Sequence, residues 1–195
     1  MRRFVVIGHR AVTSGEFKLD DLCGSAGRMD VLLRSINSSF FLSHDIRRDV
    51  EVHLVMQGPP DPPKTVRLVG KELKYLNPDE RSTGALVRNA LMKTTNGEQR
   101  SSPGIYVSSR SYKDVLSTLP KETQIIYLNE RGTDIREKEL GSDVTFVLSD
   151  DQDLNQEEEE ILMDYHPERI SLGPASYHTD HCILVVNNEL DRCGV

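Results

Sequence analysis

Three short apolar runs in the second half of the chain each break directly into a polar or glycine-containing turn: Leu128-Asn129-Glu130-Arg131-Gly132, Leu148-Ser149-Asp150-Asp151 and Leu172-Gly173-Pro174-Ala175-Ser176. If such runs are strands of an open α/β sheet, ligands bind beyond their carboxyl ends, where free backbone amides and carbonyls gather. Three such turns side by side enclose a planar heterocycle, whereas any one alone is equally well a plain connection. The glycines follow neither the GxGxxG nor the P-loop pattern, so neither a dinucleotide nor a nucleoside triphosphate is indicated.

A second set of groups lies in the first half: Arg28, Asp30 and Arg34, then His44-Asp45-Ile46-Arg47-Arg48-Asp49, then Asp79-Glu80-Arg81. Together they supply arginines for phosphates and a carboxylate for proton transfer. Singly each has a plain explanation; Asp30 and Arg34, four apart, form a helical ion pair that needs no function. His178, His181 and Cys182 are spaced to share a helical face as metal ligands, but no further histidine or carboxylate at a telling distance completes a set, so no metal site is predicted.

The elements that must position these groups alternate, which predicts an α/β fold with a largely parallel sheet in a single domain over residues 1–195. Strands are predicted at Arg3–Ile7, Glu51–Met56, Thr65–Val69, Gly104–Val107, Thr123–Leu128, Val144–Leu148 and Arg169–Leu172. Met29, Leu32, Leu33, Ile36 and Phe40 mark the core face of a helix from about Gly27 to Leu42. Asn77, Pro78 and Glu80 read as a capped helix start, followed by a stripe of Thr83, Leu86, Val87, Ala90 and Leu91. Asn155 and Glu158 repeat the capping pattern, which puts the acidic run Glu157–Glu160 on a solvated helix start. The final segment reads as a helix on Cys182, Val185, Val186 and Leu190. Gln57–Lys64, with its four prolines, is a rigid connector, and Asn96–Ser102 a loop.

Composition sets the class. With 37% hydrophobic and 28% charged residues in 195, no Trp and no long apolar run, a soluble globular protein without membrane spans or a signal peptide is expected. Cys23, Cys182 and Cys193 form no CxxC pair and suit a reducing compartment, so a cytoplasmic location is expected. The net charge of −7 is unevenly placed: residues 1–48 hold eight Arg/Lys against five Asp/Glu, and residues 149–168 hold nine acids and no Lys or Arg. A phosphate-binding surface is therefore expected in the first half, chiefly Arg2, Arg3, Arg28, Arg47 and Arg48.

Several stretches together resemble one family. These are the block Phe41-Leu42-Ser43-His44-Asp45-Ile46-Arg47-Arg48-Asp49, the helix start Gly27-Arg28-Met29-Asp30, Pro78-Asp79-Glu80-Arg81, Pro103-Gly104-Ile105-Tyr106-Val107, and Arg169-Ile170-Ser171-Leu172-Gly173-Pro174 with His181-Cys182. They resemble the TrmY family, archaeal tRNA pseudouridine-54 N1-methyltransferases of the SPOUT superfamily, over essentially the whole chain. The resemblance implies a SPOUT methyltransferase fold with a C-terminal deep trefoil knot, a homodimer, and S-adenosylmethionine bent into the knot. Carried over residue by residue, it puts the cofactor on Leu128, Ser149, Leu172, Gly173, Pro174, Ala175, Ser176, Tyr177 and Cys182. It also implies tRNA as partner, with no metal and no covalent nucleophile, so that Cys182 lines the pocket.

In that chemistry N1 of pseudouridine, free because the sugar is attached through carbon, loses a proton as it is methylated. Asp30 is the candidate acceptor, and Arg28, Arg47 or Arg81 the candidate stabiliser of the developing anion. The family's Gly-Asp-His is Ser149-Asp150-Asp151 here, which is tolerable only if Ser149 needs no positive φ. Rival readings are an N1-pseudouridine methyltransferase acting on small-subunit ribosomal RNA and a noncatalytic RNA-binding SPOUT protein.

Overall fold

The computed structural model describes residues 1–93 and 96–195. The most apolar run of the first half, β1 (Arg2–Gly8), is buried along its whole length, which puts it at the centre of the sheet. It pairs in parallel with β2 (Val50–Met56) on one side and with β7 (Val144–Ser149) on the other. Beyond β7 lie β6 (Gln124–Asp134) and the edge strand β8 (Glu168–Ser171), both again parallel.

On the far side of β2 the expectation of a parallel sheet fails. There β3 (Lys64–Val69), β5 (Ile105–Ser108) and β4 (Gln99–Ser102) are joined antiparallel, giving the order β4-β5-β3-β2-β1-β7-β6-β8. The cause is connection length: the proline-rich segment between β2 and β3 is too short for a crossover of a dozen or more residues, so β3 must return antiparallel. The last four residues of the predicted Asn96–Ser102 loop form β4; its polar residues, two exposed and two half-buried, sit on an edge and give no buried alternation to read.

Helices cover both faces. On one, α1 (Met29–Phe40), α2 (Glu80–Leu91) and α5 (Thr179–Cys193) enclose a core with Phe4, Val6, Leu54 and Phe146. All five apolar residues of the predicted α1 stripe are fully buried, each worth about 1.5–3 kcal/mol of transfer free energy. On the other face α3 (Tyr112–Thr118) and α4 (Gln156–Met163) pack on Val5, Ile7, Val55 and Val147.

The cap of α2 corrects the sequence reading. Asp79, not Asn77, is the N-cap and accepts from the Ser82 amide at 2.8 Å, while the Asn77 carbonyl accepts from Asp79 N–H and the Thr83 hydroxyl. The Asn155–Glu158 capping box at α4 is present in both directions.

Strand β6 is interrupted where it runs beside β8. Ile170 of β8 pairs with both Leu128 and Thr133 of β6, so residues 129–132 leave the ladder and rejoin it over the same β8 residue. Gly132 permits this crossing: a Cβ there would lie 2.6 Å from the Arg169 and Ile170 backbone. No helix among the described residues is long and apolar enough to cross a membrane.

Candidate functional site

The carboxyl ends of β6, β7 and β8 open into a single cleft of about 560 Å³ whose walls are the three apolar-run turns of the second half together with the start of α5. Leu128, Ser149, Leu172, Gly173, Ala175, Ser176, Tyr177 and Cys182 all line it; Pro174 belongs to the third turn but does not line the cleft. The turns are tied to one another. The Ser176 hydroxyl donates to the Glu130 carboxylate, joining the third turn to the first. The Thr179 hydroxyl donates to the Ser149 and Asp150 carbonyls, joining α5 to the second.

Ser149 is the last residue of β7 and is not among the residues with positive φ, so its serine side chain costs no backbone strain. Gly173 does have a positive φ of 130°.

The second turn is held from behind by a cluster that sequence reading missed. The backbone N–H of His9, just past β1, donates to Asp150 Oδ2 at 2.8 Å, and its ring sits 2.7 Å from Asp150 Oδ1 and 3.0 Å from Glu158 Oε2. Hydrogen bonds to Asp150 and then Glu158 raise the His9 pKa from 6.5 to about 10, so the ring is an imidazolium between two buried carboxylates. Burial pushes the Glu158 carboxyl up, but bonds from His9, the Asn155 amide and Gln57 outweigh it and hold the group below the usual range. Glu158 therefore departs from the expected solvated acidic run: it is 4% exposed, turned inward by its capping role and by His9. Glu158 was visible in the sequence as a cap; nothing local pointed to its partner 149 positions away.

The arginine and carboxylate candidates separate. Arg28, the left-handed residue before α1, grips Asp30 with Nε at 3.0 Å and Nη2 at 3.3 Å and reaches Asp151 of the second turn at 3.0 Å. Arg34 binds Asp30 at 2.9 Å and lies 3.7 Å from Asp180 in the first turn of α5 and 3.8 Å from Glu80 of α2. Burial of Asp30 is outweighed by the two guanidinium groups, which keep it ionised. This array abuts the cleft through Asp151, next to Asp150, and Asp180, next to Thr179.

Arg47 lies elsewhere, forked onto Asp191 near the end of α5. Arg81 is exposed on the first turn of α2. The expected phosphate surface is also corrected. Arg2 is held by Asn187, Asp49 and Asp191, Arg3 by Asp143, Arg28 by Asp30 and Asp151, Arg47 by Asp191, and Arg48 by Asp45 and the Gly70 and Leu73 carbonyls. Nearby acids and carbonyls claimed these cations during folding.

Burial raises the Cys182 thiol to about 11, leaving it neutral against the cleft wall. The His178 and His181 rings meet edge to face at 5.8 Å, and the described residues contain no group of three or more His, Cys, Asp or Glu able to hold a metal.

The mixed sheet, with a cleft at the ends of three parallel strands, places the chain among α/β proteins that bind a ligand beyond their strand ends. Residues 1–195 match the family of SAM-dependent RNA methyltransferases, and the chain belongs to it. More particularly, it is 50% identical over 194 residues to the tRNA (pseudouridine(54)-N(1))-methyltransferase of Methanocella arvoryzae, covering 98% of this chain and all of that one. It is 48% identical to the protein of the same name from Methanococcoides burtonii, covering 98% of this chain and 96% of that one. The one from Haloferax volcanii is 45% identical, with 100% and 98% covered. The crystal structure of Archaeoglobus fulgidus Nep1 bound to S-adenosylhomocysteine superposes with a TM-score of 0.68 at 13% identity, covering 98% of this chain and 96% of that one. That likeness shows that the chain shares the fold of that structure, in keeping with the expected α/β architecture.

Proposed function

We propose that the protein transfers the methyl group of S-adenosylmethionine to N1 of pseudouridine 54 in the T loop of tRNA. The observation that carries this reading is the 45–50% identity, across essentially the full chain, to enzymes named for that reaction. The cleft fits the cofactor: its volume of about 560 Å³ lies in the range of small-molecule sites. Leu128, Leu148 and Leu172 supply apolar walls, and the backbones of all three turns edge it. Leu128, Ser149, Leu172, Gly173, Ala175, Ser176, Tyr177 and Cys182 would hold the cofactor, whose sulfonium would supply an already activated methyl group.

The protein's task is then alignment and charge. The cleft fixes the direction of approach, a proximity effect. Asp30, kept ionised, takes up the N1 proton, and Arg28 at its side stabilises the anion that spreads over the ring. Arg47, forked onto Asp191, and Arg81, exposed on α2 without an ion pair to Asp30, are left out of the chemistry. The return of β6 over β8 supports a trefoil-knotted crossing. Leu184, 57% exposed on α5, supports burial in a homodimer. Three free cysteines suit the cytoplasm. The noncatalytic reading rested on the Ser149-Asp150-Asp151 departure, and the absence of a positive φ at Ser149 weighs against it.

The test is transfer of labelled methyl to tRNA transcripts with and without pseudouridine at position 54. Label should enter only the pseudouridine transcript, because uridine offers no free N1–H. Equal labelling of both overturns the proposal.

A further inference from the structure

Seven of the eight cations in residues 1–48, all but Lys18, sit in salt bridges within the protein. An acidic protein that binds a polyanion must meet it with cations that are still available. Several Lys and Arg among the described residues make no salt bridge, and four of them, Lys18, Arg81, Arg88 and Lys93, gather on α2 and the 9–28 loop beside it. Arg81 and Arg88, seven apart, share one helix face with half-buried Ala85 and with Met92, which is 69% exposed. The loop lies along that face: a Cβ on Gly15 would touch Met92 and the Arg88 carbonyl, and Gly84 packs near Leu19 and Leu22. Lys64 closes the far end, with Nζ 3.5 Å from the Leu91 carbonyl.

We infer that this stripe, Arg81, Arg88 and Lys93 extended by Lys18 and Lys64, docks the phosphodiester backbone of the RNA whose base enters the cleft. The inference rests on the proposed tRNA substrate and deepens it. Arg81 and Arg88 stand about 10 Å apart along the helix axis, so they meet different phosphates. Of the acids on these elements, Asp79 caps α2, Glu80 turns to Arg34, and Asp21 caps the turn at Gly24 and Ser25. Glu16 and Asp20 remain to oppose five cations. The stripe is also in the right place: α2 begins beside the array that abuts the cleft, since Glu80 and Asp180 share Arg34. A backbone held along α2 therefore runs toward the methyl-transfer site.

The experiment measures binding of a pseudouridine-containing tRNA transcript from 50 to 300 mM salt. The variants are Arg81→Gln, Arg88→Gln and Lys93→Gln, singly and together. Each lost phosphate contact should lower the slope of log affinity against log salt by about 0.7 to 0.9, and the triple change by about 2 to 3, with binding at least about tenfold weaker. Affinity for S-adenosylhomocysteine and thermal stability should stay as in the wild type. The double change Arg81→Lys, Arg88→Lys should keep the slope, since the charge is retained. Arg47→Gln should lower stability and leave the slope alone.

Wild-type slope and affinity in the triple variant overturn the inference, as does an equal fall in slope for Arg47→Gln. Failure of the wild-type protein to methylate the transcript overturns the substrate instead, while the slopes still decide whether α2 is the docking surface.

Discussion

Replacing His9 by Ala removes the cation between Asp150 and Glu158, whose side chains are 1% and 5% exposed. The cost follows from the proton. The folded protein holds it up to about pH 10 and the unfolded chain releases it near 6.5. The stabilisation is therefore complete below pH 6.5 and is lost as the pH rises through 10. At about 1.4 kcal/mol per pH unit this amounts to about 5 kcal/mol below pH 6.5 and about 4 kcal/mol at pH 7, falling toward zero above pH 10. An independent route agrees: stripping one partner from a buried ion pair costs about 3–5 kcal/mol.

Denaturant unfolding of wild type and His9→Ala at pH 6, 7, 8.5 and 10 should show a gap that narrows steadily. At pH 7 it corresponds to a Tm drop of about 8–16 °C in a domain of this size. Affinity for S-adenosylhomocysteine should fall as well, because Asp150 lines the cleft. A gap below about 1 kcal/mol at pH 6, or one unchanged up to pH 10, refutes the reasoning.

Ser149→Ala should leave the dissociation constant for S-adenosylhomocysteine within a few-fold, whereas Ser149→Pro, which removes a strand amide and fixes φ, should abolish binding; loss of binding in the alanine variant would make the hydroxyl the ligand. Gly173→Ala adds a Cβ with nothing within 4 Å but at φ 130°, a conformation costing roughly 1–3 kcal/mol, so calorimetry should show cofactor binding about tenfold or more weaker with little loss of Tm, and wild-type affinity would show that the turn relaxes freely. Cys182→Ala should keep methyl transfer within a few-fold, and the native thiol, pushed up to about 11, should resist iodoacetamide at neutral pH; an inactive variant that still binds S-adenosylhomocysteine would place the sulfur in the chemistry.

Local signals carried well from sequence to structure. The α1 stripe, the capping box of α4, the terminal helix and the three turns each depend on residues a few positions apart, and all are present. Asn77 misled because Asp79 offers a carboxylate two residues later, and a two-residue shift in a cap leaves the apolar stripe unchanged. Pairings across the sheet stayed hidden. His9 with Glu158, Arg2 with Asn187 and Arg47 with Asp191 join residues more than 140 apart, and no periodicity encodes such distances. For the same reason the basic first half read as a surface: charge counts do not reveal which arginines are spent inside the fold. The three turns were legible as a cleft because parallel strands must end together, but their mutual ties were not.

Those ties, Ser176 to Glu130 and Thr179 to the Ser149 and Asp150 carbonyls, make the rim a linked frame rather than three separate loops. A ligand entering such a frame has few segments left to immobilise, so little of its binding energy is diverted to ordering the protein. Residence time, more than capture rate, then carries the effect of each tie. Cutting one should let the spent nucleoside escape sooner while it arrives as fast as before, so the rim sets how long each turnover product lingers.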